Sequence, residues 1–132
     1  VEASMAVFRT AFSLHCPDHS VRTALLASAR ALLDHYERQI DFYLAIERAI
    51  AASPEIRARK LGLSAELVDE LATLAGQCSD GQAQAVWHAR LHTEIVFSIV
   101  RAVIGRWVEA DGKPSLGTLF DEALMVTGIA QT

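Results

Sequence analysis

Apolar residues recur at intervals of three and four over nearly the whole chain, which is the period of an α-helix with one packed face. No stretch alternates at the period of a β-strand. With only 7 glycines and 3 prolines in 132 residues, the chain also lacks the turn residues of a β fold. The sequence therefore predicts an all-α fold of about six helices, separated at Cys16–His19, Arg38, Ser53–Pro54, Ser79–Gln82 and Ala110–Pro114.

Two of these breaks need a physical argument. Residues 20–52 contain no Gly or Pro, and we predict two helices that meet near Arg38, because one packed helix of more than about 30 residues is uncommon in a short chain. At Ser53-Pro54 we predict that one helix ends and the next begins without a loop. Ser53 is a suitable N-cap, and Pro54 loses no hydrogen bond at the first helical position.

The bulk properties exclude several classes of protein. Hydrophobic residues make up 52% of one domain-sized chain, and the net charge of −4 does not match a nucleic-acid surface. No apolar run reaches the roughly 18 residues that a membrane span needs. The two cysteines, Cys16 and Cys78, suit a reducing cytoplasm at least as well as one disulfide. We therefore predict a cytoplasmic protein with no membrane partner.

Motifs for catalysis are missing from the sequence. It contains no Gly-rich phosphate loop, no G-x-S-x-G and no C-x-x-C, and its carboxylates alternate with arginines as on a solvated face. We predict that the protein is not an enzyme and holds no cofactor. Arg57, Arg59 and Lys60 are three cations in four residues, but the neighbouring helices carry about as many acidic as basic residues, which favours a solvated helix face over a nucleic-acid contact.

His88 and His92 are four residues apart and share one face of the predicted fifth helix. Two such imidazoles can bind one metal ion, but a site needs further ligands, and no second motif supplies them. Asp34, His35 and Glu37 could contribute from a facing helix. A metal-binding helical bundle that uses His88 and His92 is therefore one alternative function, and a structural helical interaction module without a pocket is another.

A group of aromatic and histidine side chains brings polar atoms to apolar helix faces. Pockets for small molecules are lined in this way, with mostly hydrophobic walls and a few placed hydrogen-bonding groups. We therefore predict a ligand-binding cavity between helices, lined by Phe8, Phe12, Leu25, Tyr43, Trp87, His88, Leu91 and His92.

The run from Gln82 to Glu109 is apolar on more than one side. One line of apolar residues passes through Trp87 and Ile95, and another passes through Ile99 and Trp107. A helix that is apolar this far around is buried on two sides. One side can face the core of its own chain, and the other needs a second layer from the chain or from a partner.

Two segments resemble the regulatory domain of TetR-like transcriptional repressors. "SPEIRARKLGLSAELVDELATLAGQ" resembles a middle helix of that domain, which commonly opens with a Ser-Pro-Glu-like start followed by arginines. "AVWHARLHTEIVFSIVRAVIGRWVEADGKPSLGTLFDEAL" resembles its last two helices, with Arg106-Trp107 before a Gly-containing turn and a Leu-x-x-Leu-Phe-Asp-Glu-Ala-Leu helix from Leu116 to Leu124. The resemblance covers about residues 20–130 and rests on pattern and order.

This resemblance implies an effector-binding and dimerisation domain over residues 1–132. The last two helices would pair with those of a second copy in a four-helix dimer bundle. The other helices would enclose a small, mostly apolar or amphipathic effector that changes the spacing of two DNA-binding heads. The dimer face that the resemblance implies consists of Ile99, Val103, Arg106, Trp107, Leu116, Phe120 and Leu124.

The DNA-binding heads themselves are not in this sequence. The family's helix-turn-helix signature, a Gly-Val-Ser turn followed by Tyr and a Phe-x-x-Lys-like end, does not occur. Residues 1–15 could be the helix that connects such a head to the regulatory domain. Because the first residue is Val1 rather than Met, we expect a domain taken from a longer regulator, with operator DNA bound only through an N-terminal domain outside this sequence.

Overall fold

The computed structural model of the chain describes residues 2–16, 20–78 and 83–130. In these ranges the chain forms helices and connecting turns and no strand, which confirms the all-α prediction. The described part of the chain has six helices: α1 (Glu2–His15), α2 (Val21–Glu37), α3 (Ile40–Ala52), α4 (Pro54–Cys78), α5 (Ala83–Glu109) and α6 (Leu116–Thr127).

The predicted joint between the second and third helices is present. Ser20 caps α2, because its side-chain oxygen accepts a hydrogen bond from the backbone N–H of Thr23 at 3.2 Å. The helix ends at Glu37, and α3 begins two turn residues later at Ile40. The long apolar run is therefore two helices that can face different neighbours.

The corner between α3 and α4 follows the local rules of helix capping. The N–H of Ser53 donates to the carbonyl of Ile50 at 3.2 Å, and its hydroxyl accepts from the N–H of Ile56 at 3.3 Å. Ser53 has an extended backbone, as expected before a proline, and Pro54 is the first residue of α4. The predicted change of direction without a loop is confirmed.

The turn between α5 and α6 uses left-handed backbone at Asp111 and Gly112, with φ of 57° and 73°. The N–H of Gly112 donates to the carbonyl of Trp107 at 2.8 Å, which closes the end of α5. Ser115 then caps α6 by accepting from Thr118 N–H at 3.0 Å. The predicted break at Ser79–Gln82 lies outside the described residues.

Helix α5 occupies the centre of the fold. It packs against α2, α3, α4 and α6, while α1 packs mainly on α2. At Gly76 the α4 backbone approaches α5 so closely that an added Cβ would lie 2.6 Å from Cγ2 of Val86. The largest fully buried side chains of the core are Trp107, Phe8, Phe12, Phe120, Leu25, Leu33, Leu71 and Leu116.

A disulfide joins Cys16, just after α1, to Cys78 at the end of α4. Their Cα atoms lie 6.3 Å apart, although 62 positions separate them in the chain. The sequence left open whether these cysteines are free or paired, and the structure pairs them. Because disulfides are rare in cytosolic proteins, the bond does not support a cytoplasmic location, which stays a prediction.

Among the described residues, no helix combines the length and apolar character needed to cross a membrane.

Reduction of the disulfide is expected to lower the free energy of unfolding by about 4 kcal/mol, because the bond closes a long loop in the unfolded chain. Urea unfolding followed by circular dichroism, with and without dithiothreitol, measures this difference. The double variant Cys16→Ser/Cys78→Ser is the control and should unfold alike in both conditions. An unfolding curve of the wild-type protein that reductant does not move would contradict the bond.

Candidate ligand-binding site

Helices α1 to α5 surround a cavity of about 440 Å³. Each helix presents residues at intervals of three or four, so each contributes one face. The walls are mainly apolar, and the volume lies in the range of small-molecule pockets. The apolar and aromatic residues that line the cavity include Met5, Phe8, Leu32, Tyr36, Tyr43, Ile46, Ile50, Leu67, Phe97, Val100, Ile104 and Val108.

A buried ion pair provides the polar centre of this cavity. Nζ of Lys60 on α4 donates to both carboxylate oxygens of Glu47 on α3, at 2.6 and 3.0 Å. The Glu47 side chain is only 4% exposed and that of Lys60 is 26% exposed. A carboxylate buried this far needs a counterion and hydrogen bonds, and Lys60 supplies both.

Tyr36 on α2 contributes a third group to this polar centre. Its hydroxyl donates to Oε1 of Glu47 at 3.4 Å. Burial of the phenol, reinforced by the negative charge of Glu47, raises the pKa of Tyr36 well above its ordinary value. Tyr36 therefore remains a neutral hydrogen-bond donor beside the carboxylate at physiological pH.

The ring of Tyr43 on α3 is fixed by two neighbours. It stacks on Tyr36 with ring centroids 4.2 Å apart and an angle of 11° between the planes. Its hydroxyl is hydrogen-bonded to Nε2 of His35, with the two atoms 2.6 Å apart. Contacts within the protein thus position the aromatic wall of the cavity.

The eight residues that we predict to line a ligand pocket do not lie together. Phe8 and Tyr43 line the cavity. Phe12 and Leu25 are fully buried in the core beside it. Trp87, His88 and Leu91 are exposed on α5, and His92 is partly buried. The ligand-binding role of these residues stays a prediction.

Sequence reasoning missed Glu47 and Lys60 as pocket residues, and Tyr36, although one of the aromatic residues with a polar atom on an apolar face, is not among the eight predicted lining residues. Glu47 stands on the apolar stripe of α3, four residues after Tyr43 and three before Ile50, so its spacing alone could have marked it as a carboxylate facing inward. We expect from the sequence that Lys60 belongs to a solvated face. It turns inward instead, because the carboxylate that needs it lies on the neighbouring helix.

The predicted dimer residues divide between an outer groove and the core. Ile99, Val103 and Arg106 line a groove of about 560 Å³ between α5 and α6. Trp107, Leu116 and Phe120 have no exposed surface, and Leu124 is partly buried. The inward position of these side chains has a physical reason: α6 packs against both α2 and α5, which buries the apolar stripe of α6 inside its own chain.

The described residues contain no cluster of side chains that is typical of a metal site. No group of three or more His, Cys, Asp or Glu side chains there is placed to hold a metal ion. Burial of the His92 imidazole, together with the positive charges of Arg22 and His88, lowers the pKa of His92. His88 lies exposed one turn away on the same helix.

Comparisons of the chain with models of protein families, with curated proteins and with solved structures found no match. The resemblance to TetR-like regulatory domains therefore rests on the sequence patterns given above. Any function must be argued from the cavity and the surface of the fold.

Replacement of Lys60 by Met is expected to lower the free energy of unfolding by about 3 kcal/mol, because it leaves the Glu47 carboxylate buried without a counterion. Urea unfolding measures the loss. The double variant Glu47→Leu/Lys60→Met should recover most of it, since an apolar pair can replace a buried ion pair. Arg59→Met on the exposed side of α4 is the control. Equal stability of the Lys60→Met and Arg59→Met variants would contradict the structural role of the pair.

Proposed function

We propose that this chain is the effector-binding and dimerisation domain of a TetR-like transcriptional regulator. The observation that carries the proposal is the apolar cavity with a preformed polar centre, walled by α1 to α5. Such a cavity suits a small molecule that is mostly apolar and has one polar end. It accords with the order of segments that resembles the family.

The polar centre favours binding over chemical transformation. Lys60 donates to both oxygens of Glu47, and the hydroxyl of Tyr36 also contacts that carboxylate. A general base needs a free acceptor within reach of the proton that it removes. A carboxylate engaged in this way orients a ligand but does not readily take a proton from it.

The groove between α5 and α6 suits a second copy of the chain. Its floor contains Ile99 and Val103, and exposed apolar residues flank it, with Ile95 43% and Val126 76% exposed. Glu94 and Arg106 also line it, about 18 Å apart along α5. In a two-fold dimer with antiparallel α5 helices, each end of the groove would meet the opposite charge of the other copy.

Helix α5 would link the two sites. Val100 and Ile104 face the cavity, while the adjacent Ile99 and Val103 face the groove. An effector that favours one position of α5 would therefore also favour one arrangement of the dimer. In the full regulator this would set the spacing of the DNA-binding heads, and operator DNA would be bound only by those heads, outside the 132 residues.

A larger side chain in the cavity is expected to weaken ligand binding without harm to the fold. Gly105 lines the cavity, and a Cβ added there would have no heavy atom within 4 Å. Gly105→Leu should stabilise the helix by about 1 kcal/mol and weaken binding of the neutral fluorescent probe N-phenylnaphthylamine about tenfold or more. Fluorescence titration and thermal unfolding measure the two effects.

The matched control is Gly62→Leu on α4, where the added Cβ also meets no neighbour but the position does not line the cavity. It should gain stability and bind the probe as the wild-type protein does. Probe binding that is equal in all three proteins would show that the cavity is not the binding site.

Dimerisation is expected to depend on the α5 groove. Ile95→Glu should convert a dimer into a monomer of 14.4 kDa, because it places a charge in the apolar groove. Ile56→Glu on α4 is the control, since Ile56 is 46% exposed but lies outside the groove. Size-exclusion chromatography with light scattering measures the mass. A wild-type protein that remains at 14.4 kDa at high concentration would contradict the dimer.

A further inference from the structure

Three cationic side chains from two helices line the cavity. Arg57 and Lys60 come from the first two turns of α4, and Arg101 comes from the middle of α5. Two carboxylates, Glu47 and Glu109, line it as well. Since Lys60 neutralises Glu47, the lining retains two positive charges against one negative charge.

The two arginines have no anionic partner in the described parts of the chain. The guanidinium of Arg57 is exposed and makes neither an ion pair nor a side-chain hydrogen bond there. Arg101 donates to the neutral hydroxyl of Ser98 at 3.1 Å. Arg9, Arg30, Arg48 and Arg90, which do not line the cavity, all contact carboxylates within 2.9 Å. Arg22, Arg38 and Arg59 also lie outside the cavity and make no ion pair with the described residues. The two cavity arginines differ from these in their place, because they are unpaired cations in the lining of a mainly apolar cavity.

From this arrangement we infer that the ligand of the cavity is an amphipathic carboxylate. Its apolar body lies among the aliphatic and aromatic walls, and its carboxylate binds Arg57 and Arg101. Guanidinium groups suit this role because their donors match the two oxygens of a carboxylate. The inference rests on the proposed function, since it assigns a chemical class to the effector of that cavity.

Lys60 can take part without giving up Glu47. An ammonium group has three N–H donors, and two contacts to Glu47 leave the third for a ligand oxygen. A cationic ligand would be disfavoured in this cavity. At Glu47 it would have to displace Lys60. At Glu109 it would meet Arg106, whose guanidinium lies 3.9 Å from that carboxylate. Arg57 and Arg101 would repel it as well, so the geometry favours an anion over a cation.

Three probes with alkyl chains of nearly equal length test the inference: decanoate, decanol and decyltrimethylammonium. Isothermal titration calorimetry on the full chain is expected to show the tightest binding for decanoate. Decanoate should bind about fourfold more tightly than nonanoate, because it buries one more methylene group. Its affinity should fall as salt is added, since the arginines are exposed, whereas that of decanol should not.

Substitutions then locate the carboxylate. Arg57→Gln and Arg101→Gln should each weaken decanoate binding about tenfold and leave decanol binding unchanged. Arg59→Gln is the matched control, because Arg59 lies on the same helix, is exposed and does not line the cavity. It should bind all three probes as the wild-type protein does.

Two other outcomes separate the inference from the proposed function. If decanol binds as tightly as decanoate, or if decyltrimethylammonium binds most tightly, the cavity takes a ligand but the carboxylate assignment is wrong. If neither the alkyl probes nor N-phenylnaphthylamine binds, the proposed effector cavity fails and the inference falls with it. Loss of decanoate affinity in the Arg59→Gln variant equal to that in Arg57→Gln would also overturn the assignment, since it would indicate a general charge effect.

Discussion

The ion pair between Glu47 and Lys60 is the interaction on which the candidate site depends. These residues are only thirteen positions apart, yet they lie on different helices, because Ser53 and Pro54 end α3 and begin α4 without a loop. A buried carboxylate must be paired, so Lys60 on α4 lies against Glu47 on α3, and the two side chains form the polar part of the cavity lining. An apolar pair of similar volume could stabilise this contact as well. The charged groups therefore matter more for ligand recognition than for the stability of the fold.

Helix α5 explains how one small domain can offer both a cavity and an outer groove. Its Val100 and Ile104 face inward, and its Ile99 and Val103 face the groove beside α6. The second apolar side of this helix is therefore only partly covered by its own chain. In the proposed dimer, the same helix would couple the cavity directly to the contact with the second copy.

The helices could be predicted from sequence because their limits depend on local chemistry, such as the caps at Ser20, Ser53 and Ser115. The cavity could not be predicted from sequence, because its lining depends on which faces of the helices pack against one another. Trp107 was expected on an outer face but lies in the core near Tyr36, whereas Trp87 was expected in a pocket but is 57% exposed. Both tryptophans lie on apolar stripes of α5, and periodicity alone does not tell which of these stripes packs against the rest of the chain.

The central claim is that a small, mostly apolar ligand with one polar end enters the cavity that α1 to α5 surround, and isoleucine methyl groups provide a direct test. Ile46, Ile50 and Ile104 line the cavity, whereas Ile95 and Ile99 line the outer groove. In methyl NMR of isoleucine-labelled protein, titration with decanoate should shift the signals of Ile46, Ile50 and Ile104 most. The signals of Ile95 and Ile99 should shift less, because they report only the movement of α5. Shifts confined to Ile95 and Ile99, or no selective shift at saturating decanoate, would contradict the account.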